Sequence, residues 1–254
     1  MSRFIGTLAA AILALSTSVQ AETIKVSTGE YAPFTGEALP NGGVVNGLIA
    51  RVAEAAGVTV EYEYMPWKRA LEVARAGQVQ ASSYWGVRPD QTGLTMVGPF
   101  ALDRNVLFYR KDKPIPEFQA ITDLTEVQIG VTHGYSYTPE FWTNVENGTL
   151  KTQTAKDDAS NFRKLLAGRI DAFIIDDYVG HYLLEQEFTA EERAQLAASE
   201  NALMGSGGFL QVSLEAEGGA ELANRLQAAF DAMTASGEMD TIRAELNAAA
   251  GLGG

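Results

Sequence analysis

Leu165-Leu166-Ala167-Gly168-Arg169-Ile170-Asp171-Ala172-Phe173-Ile174-Ile175-Asp176 holds the pattern that decides the fold. Ile170 to Ile175 is a nearly continuous apolar run, broken only by Asp171, of the kind buried on both faces in a parallel sheet. Gly168 stands where a helix C-cap turns into that strand. An earlier segment, Ala74-Arg75-Ala76-Gly77-Gln78-Val79-Gln80-Ala81, has the same order: helix end, glycine, polar, β-branched, polar, alanine. Any helix-to-strand turn carries this signature, so the echo leaves two readings open. One is ordinary turn chemistry. The other is two related lobes, each offering the loop after its own strand to a shared crevice, because ligands of open α/β sheets bind outside the carboxyl ends of strands.

Working outward, Thr23 to Thr28 alternates as a strand, and Leu48 to Ala56 places Leu48, Ile49, Val52 and Ala55 on one helical face before Gly57. Val58 to Tyr64 alternates again. Trp67 to Ala76 returns to helical spacing, with Trp67, Ala70, Leu71 and Ala74 together. Strand, helix, strand, helix is the pattern of an α/β protein with helices packed on a parallel sheet. After the charged, proline-containing segment Arg110 to Pro116, a second set follows: a strand over Val127–Val131, a helix over Asn161–Ala167 and the run described above. Thr189 and Glu192 form a capping box for a helix reaching Leu196. A strand over Phe209–Leu214 and a closing helix from about Glu221 to Met233 complete the reading.

Residues 1–21 have the three parts of a cleavable secretory signal peptide: Arg3, the apolar stretch Ile5–Leu15, and small residues in Val19-Gln20-Ala21. That apolar run is shorter than the roughly 20 residues a membrane-spanning helix needs. The formal charge of −13, about −14 without Arg3, argues against nucleic acid or anionic membrane as a partner. With no cysteine and two histidines, the chain has no disulfides to rely on and little material for a zinc or iron site. Neither cofactor nor metal is expected.

With these elements in order, the chain resembles the bacterial extracellular solute-binding proteins of the polar amino acid type, family 3. The resemblance is carried by Tyr31-Ala32-Pro33-Phe34, Asn46-Gly47-Leu48, Gly98-Pro99-Phe100, Ile129-Gly130-Val131 through Gly134-Tyr135-Ser136, and Gly168 to Asp176. It implies a two-lobed periplasmic-binding-protein fold of type II, each lobe a mostly parallel sheet flanked by helices. Hinge strands would run near Val106–Arg110 and Phe209–Leu214. Lobe 1 would comprise 22–109 plus 207–254, and lobe 2 would comprise 110–206. The implied function is that of a periplasmic monomer capturing a small polar solute, an amino acid or related amine or carboxylate, and delivering it to an ABC transporter permease in the inner membrane.

The resemblance also implies site residues. Asp176 would receive the solute's amino group; its alternative role is an N-cap for the helix that follows. Tyr31 and Phe34 would wall the site with aromatic faces, and Trp67 would be either a wall or a core anchor. Ser83, Tyr84 and Trp85 occupy the loop after the third strand, and Tyr135, Ser136 and Tyr137 hold the matching place in lobe 2, where hydroxyls either fix a polar ligand or cap helices. Family members grip an α-carboxylate with an arginine at a regular distance before the proline-aromatic pair. Here that place falls on Asp90 or Gln91, and Arg88 is the nearest arginine. Two other functions share the fold: an enzyme of the cyclohexadienyl-dehydratase kind, with Glu30, Asp176 and His133 as acid-base candidates, and a sensor docking on a receptor. A hydrolase built on Ser136 lacks the second glycine of a nucleophile elbow.

Overall fold

The structure is a computed structural model that describes residues 22–87, 90, 92–205 and 207–252. The signal-peptide segment and Arg88 lie outside the described residues.

In the first half, β1 (Glu22–Thr28), α1 (Val44–Ala55), β2 (Val58–Tyr64), α2 (Trp67–Arg75) and β3 (Ala81–Trp85) follow the expected alternation. Next come β4 (Leu94–Leu102) and β5 (Asn105–Arg110). The second half contains β6 (Gln128–Thr132), α3 (Pro139–Glu146), β7 (Lys151–Ala155), α4 (Asp158–Leu166) and β8 (Ala172–Asp176). Then α5 (Asp177–Glu187), α6 (Ala190–Ala194) and β9 (Leu196–Ala198) lead to β10 (Gly207–Ser213), α7 (Gly219–Ser236) and α8 (Glu238–Ala249).

The strands form two five-stranded sheets on one plan. The first has the order β2-β1-β3-β10-β4 and the second β7-β6-β8-β5-β9. In each, three parallel strands meet an antiparallel fourth: β10 beside β3, and β5 beside β8. That fourth strand is the first the chain contributes after crossing from the other sheet. The outgoing strand β5 pairs only within the second sheet, so the chain changes sheets at Asp103 and Arg104, ahead of the boundary expected at Tyr109.

The echo extends to hydrogen bonds. Gly77 (φ 69°) and Gly168 (φ 67°) both take the left-handed conformation. In one turn Gly77 N–H donates to Ala74 and Gln78 N–H to Val73; in the other Gly168 donates to Leu165 and Arg169 to Lys164. Glycine populates this region without a Cβ penalty, which is why each helix can reverse there into its strand.

On one face of the first sheet, Leu48, Ile49 and Val52 of α1 pack with Leu226 and Phe230 of α7 and Ile242 of α8. On the other face, α2 closes a smaller cluster of Ala70, Leu71, Ala74 and Trp85. Phe108, Phe162 and Phe173 meet edge-on inside the second lobe, with ring centroids 5.2 and 5.0 Å apart. Such pairs add about 0.5–1.5 kcal/mol each beyond their buried area. The single closing helix expected from the sequence is two, α7 and α8, split at Gly237 (φ 79°). β4, β7 and β9 are additions to the sequence reading, and the helix expected to reach Leu196 ends at Ala194, where β9 takes over. Among the described residues no helix is long and apolar enough to cross a membrane.

Candidate functional site

The carboxyl ends of β1, β3, β6 and β8 face one another across the gap between the sheets. A cavity of about 50 Å³ lies there, walled by Tyr31, Trp67, Tyr84 and Trp85 from the first lobe and by Tyr135 and Ser136 from the second. Tyr137, Ile174, Asp103 and Asn105 complete it. Beside it opens a wider crevice of about 890 Å³, bordered by Glu30 and Trp67 on one side and by His133, Asp157, Asp158 and Arg163 on the other.

The first lobe's wall is built around a tight turn after β1. Tyr31 N–H donates to Thr35 at 2.8 Å, Phe34 N–H to Tyr31 at 2.9 Å, and the Thr35 hydroxyl closes onto the Gly29 carbonyl at 2.7 Å. Trp67, the first residue of α2, lies flat against Gly29, where a Cβ would come within 2.5 Å of the indole. Its N–H donates to the Glu30 carbonyl. Trp67 therefore has both roles considered for it: it packs on the core and it lines the cavity. The Tyr84 ring lies on Gly208 of β10, and its hydroxyl bonds to Asp103. Trp85 donates its indole N–H to Ser82 at 2.8 Å and meets Trp67 edge-on at 5.3 Å.

Across the gap, the Tyr135 ring stands edge-on to Tyr31 at 5.4 Å and to Trp67 at 6.3 Å. Its hydroxyl donates to Asp158 at 2.6 Å, and Thr132 donates to the same carboxylate at 2.5 Å. Burial outweighs these two hydrogen bonds and pushes the Asp158 carboxyl up to about 6. Burial, reinforced by nearby carboxylates, raises the hydroxyls of Tyr31, Tyr84 and Tyr135 well above the usual phenol value, so all three stay protonated as donors. Tyr31 lies in the field of Asp176, Asp103 and Asp158 together.

Several expected site residues sit elsewhere. Ser83 is fully buried and turns its hydroxyl to Asn46 (2.7 Å) and Thr28 (3.2 Å), so it is part of the lobe's interior and not of the cavity wall. Phe34 stacks on Tyr178 at 5.9 Å, in a separate pocket on the hinge side. Tyr137 reaches the cavity, but its oxygen accepts the Thr132 N–H at 2.9 Å and its ring stacks on Phe141. Asp176 is only 3% exposed and lies off that cavity, in the hinge-side pocket with Phe34. It caps α5, with one oxygen accepting from Tyr178 (3.0 Å) and Val179 (3.1 Å) and the other from Arg104 (2.9 Å). Burial raises its carboxyl despite those three amides. Arg88 is outside the described residues. Asp90, one of the two positions at which the resemblance would put an arginine, pairs with Arg75 at 3.1 Å.

The sequence reading missed Asp103, Asn105 and Asp158. For the first two a signal existed in the polar Asp103-Arg104-Asn105 between two apolar strands. Asp158 follows Asp157 at a helix start, where a pair of aspartates reads as capping. Among the described residues no cluster of histidine and carboxylate side chains is placed to hold a metal ion.

Residues 24–246 match the model of bacterial extracellular solute-binding proteins, family 3. Among solved structures, a histidine kinase sensor domain with similarity to periplasmic binding proteins is 21% identical, with a TM-score of 0.71 over 88% of this chain and 95% of that one. The amino acid ABC transporter substrate-binding protein AbpA of Streptococcus pneumoniae, bound to L-arginine, is 17% identical, with a TM-score of 0.69 over 90% and 95%. The ancestral amino-acid-binding protein AncCDT-1, a precursor of cyclohexadienyl dehydratase, is 20% identical, with a TM-score of 0.65 over 87% and 92%. At these identities the likeness is one of fold. No curated protein sequence matches the chain. The two sheets with their exchanged strands agree with that fold, and the family match spans nearly the whole described chain: this protein belongs to the bacterial extracellular solute-binding proteins, family 3.

Proposed function

We propose that this protein captures a small polar solute, an amino acid or a related amine or carboxylate, between its lobes and delivers it to an ABC transporter permease in the inner membrane. In this reading the chain is exported to the periplasm, loses residues 1–21, works as a monomer and binds its ligand without transforming it. The observation that carries the reading is convergence: Tyr31, Trp67 and Tyr84 from one lobe and Tyr135 and Ser136 from the other meet on one cavity, in a chain of a solute-binding family. The L-arginine held by the streptococcal protein supports an amino-acid-like solute. Closure is a hinge motion near Asp103–Arg104 and the segment before Gly207, and solute contacts from both lobes stabilise the closed arrangement by their differential affinity.

The test is thermal unfolding of the mature protein against amino acids, opines, polyamines and small acids. A specific ligand at a hundred times its Kd adds about 2.7 kcal/mol of stability, a rise that scales with concentration. Tyr135→Ala should reduce that rise. A panel with no concentration-dependent hit would overturn the reading. Arg88→Ala, tested with any carboxylate-bearing hit, measures whether Arg88 replaces the family's arginine. Loss of uptake of the hit in a deletion strain checks the transporter role.

A further inference from the structure

Three aspartates stand at helix starts of the second lobe, and their hydrogen bonds sort them by task. Asp157 caps α4, accepting the Ser160 N–H at 2.7 Å. Asp176 caps α5 and holds the Arg104 amide, so three backbone donors occupy it. Asp158 has no capping task. Its partners are the hydroxyls of Thr132 and Tyr135, both neutral, and among the described residues it forms no ion pair.

The neighbouring cations of the crevice are engaged elsewhere. Lys156 pairs with Asp157 at 3.4 Å, and Arg163 pairs with Glu187 at 3.2 Å while its guanidinium lies over Phe188. The dipole of α4 favours an anion at this end, yet burial raises the Asp158 carboxyl to about 6. A half-buried carboxylate held only by neutral donors is stabilised most by an incoming cation. The hydroxyl bond from Tyr135 joins it directly to the cavity wall opposite Tyr31 and Trp67, whose ring faces also favour a cation.

We propose that Asp158 is the carboxylate that receives a protonated nitrogen of the solute, an ammonium or amidinium, and that Asp176 is structural. This inference rests on the solute-binding reading above. It makes a solute carrying a protonated nitrogen the preferred class, with its charged end passing Tyr135 toward the crevice and its body against the aromatic wall.

Calorimetric titration of the mature protein with L-arginine, L-lysine, agmatine, putrescine and succinate tests it, with Asp158→Asn, Asp176→Asn and Tyr135→Phe as variants. At least one nitrogen-bearing probe should bind the wild type. Asp158→Asn should weaken it by about tenfold or more, Asp176→Asn by less than about threefold because asparagine still caps, and Tyr135→Phe by less than Asp158→Asn. Melting temperatures without probe confirm that each variant folds; Asp158→Glu, which keeps the charge, replaces a variant that does not. Loss with Asp176→Asn of tenfold or more, or an equal loss with Tyr135→Phe, would overturn the assignment while the binding function stands. Binding of succinate alone would do the same. No binding by any of these probes, or by the wider panel, would remove both.

Discussion

The two lobes repeat one frame and furnish it differently. α2 and α4 are both nine residues long, β3 and β8 both five, and each position in the second unit lies 91 residues beyond its counterpart in the first. Trp67 therefore corresponds to Asp158, and Trp85 to Asp176. At the helix start and the strand end, the two places nearest the gap, one lobe presents indoles and the other carboxylates. The backbone plan repeats, but the side chains use it differently: Trp67, Trp85 and Asp158 line the cavity or the crevice beside it, while Asp176 turns to backbone amides.

The comparison is most sharply tested in the cores beneath. Phe162 and Leu71 occupy the same place in the repeat, but Phe162 is fully buried against Phe108, Phe173 and Phe188, whereas Leu71 sits in a small satellite cluster and retains 6% exposure. Phe162→Ala should cost about 3–5 kcal/mol in urea unfolding, and Leu71→Ala about 2–3 kcal/mol. Equal losses would mean that the lobes are packed alike.

The paired glycines come next. A Cβ on Gly77 would come within 2.9 Å of the Glu215 backbone, while one on Gly168 meets only the guanidinium end of Arg110 at 3.0 Å. Both alanine variants incur the left-handed penalty of about 1–2 kcal/mol, and Gly77→Ala should exceed Gly168→Ala because backbone cannot step aside. Denaturant midpoints measured side by side check the order; the reverse would place the tighter turn in the second lobe.

The smallest effect is one of pH. Asp158 has no titratable counterpart at Trp67, and its carboxyl is raised to about 6 when folded, above its unfolded value. The native state then binds more protons than the unfolded state between about pH 4 and 6, so this group's contribution to stability falls as pH rises through that window. The slope from one such proton is at most about 1.4 kcal/mol per pH unit. Asp158→Asn should flatten the stability profile there, and an unchanged slope would assign the titration elsewhere, for instance to Asp176.

Much of the fold was legible because buried strands and amphipathic helices write their period into the chain. β2 falls on the expected residues, and the capping box at Thr189 and Glu192 forms as read. β7 was not legible, since Lys-Thr-Gln-Thr-Ala at a sheet edge is mostly solvated and shows no apolar alternation. β4 was hidden by Gly98-Pro99, which this edge strand tolerates because the residues fall where the β4–β10 register shifts and leave the ladder unpaired. At the site, the aromatic residues of the wall could be named, although Tyr84 and Trp85 lie within β3 and not in the loop expected after it. The distinction between Asp158 and Asp176 could not: the amides of Tyr178 and Val179 follow from the N-cap role readable in sequence, but the third donor to Asp176 is Arg104, far away in sequence, and the hydroxyls on Asp158 come from Thr132 and Tyr135.

The exchanged strands also set an order for synthesis. Every strand of the second sheet lies between Asn105 and Ala198, whereas the first sheet lacks its inner strand β10, and β4 lacks its neighbour, until Gly207–Ser213 has been made. On a ribosome, which adds about 5–20 residues per second and lets domains fold as they emerge, the half begun later is finished earlier. The opening stretch of the chain must wait, partly paired, for the tail to arrive.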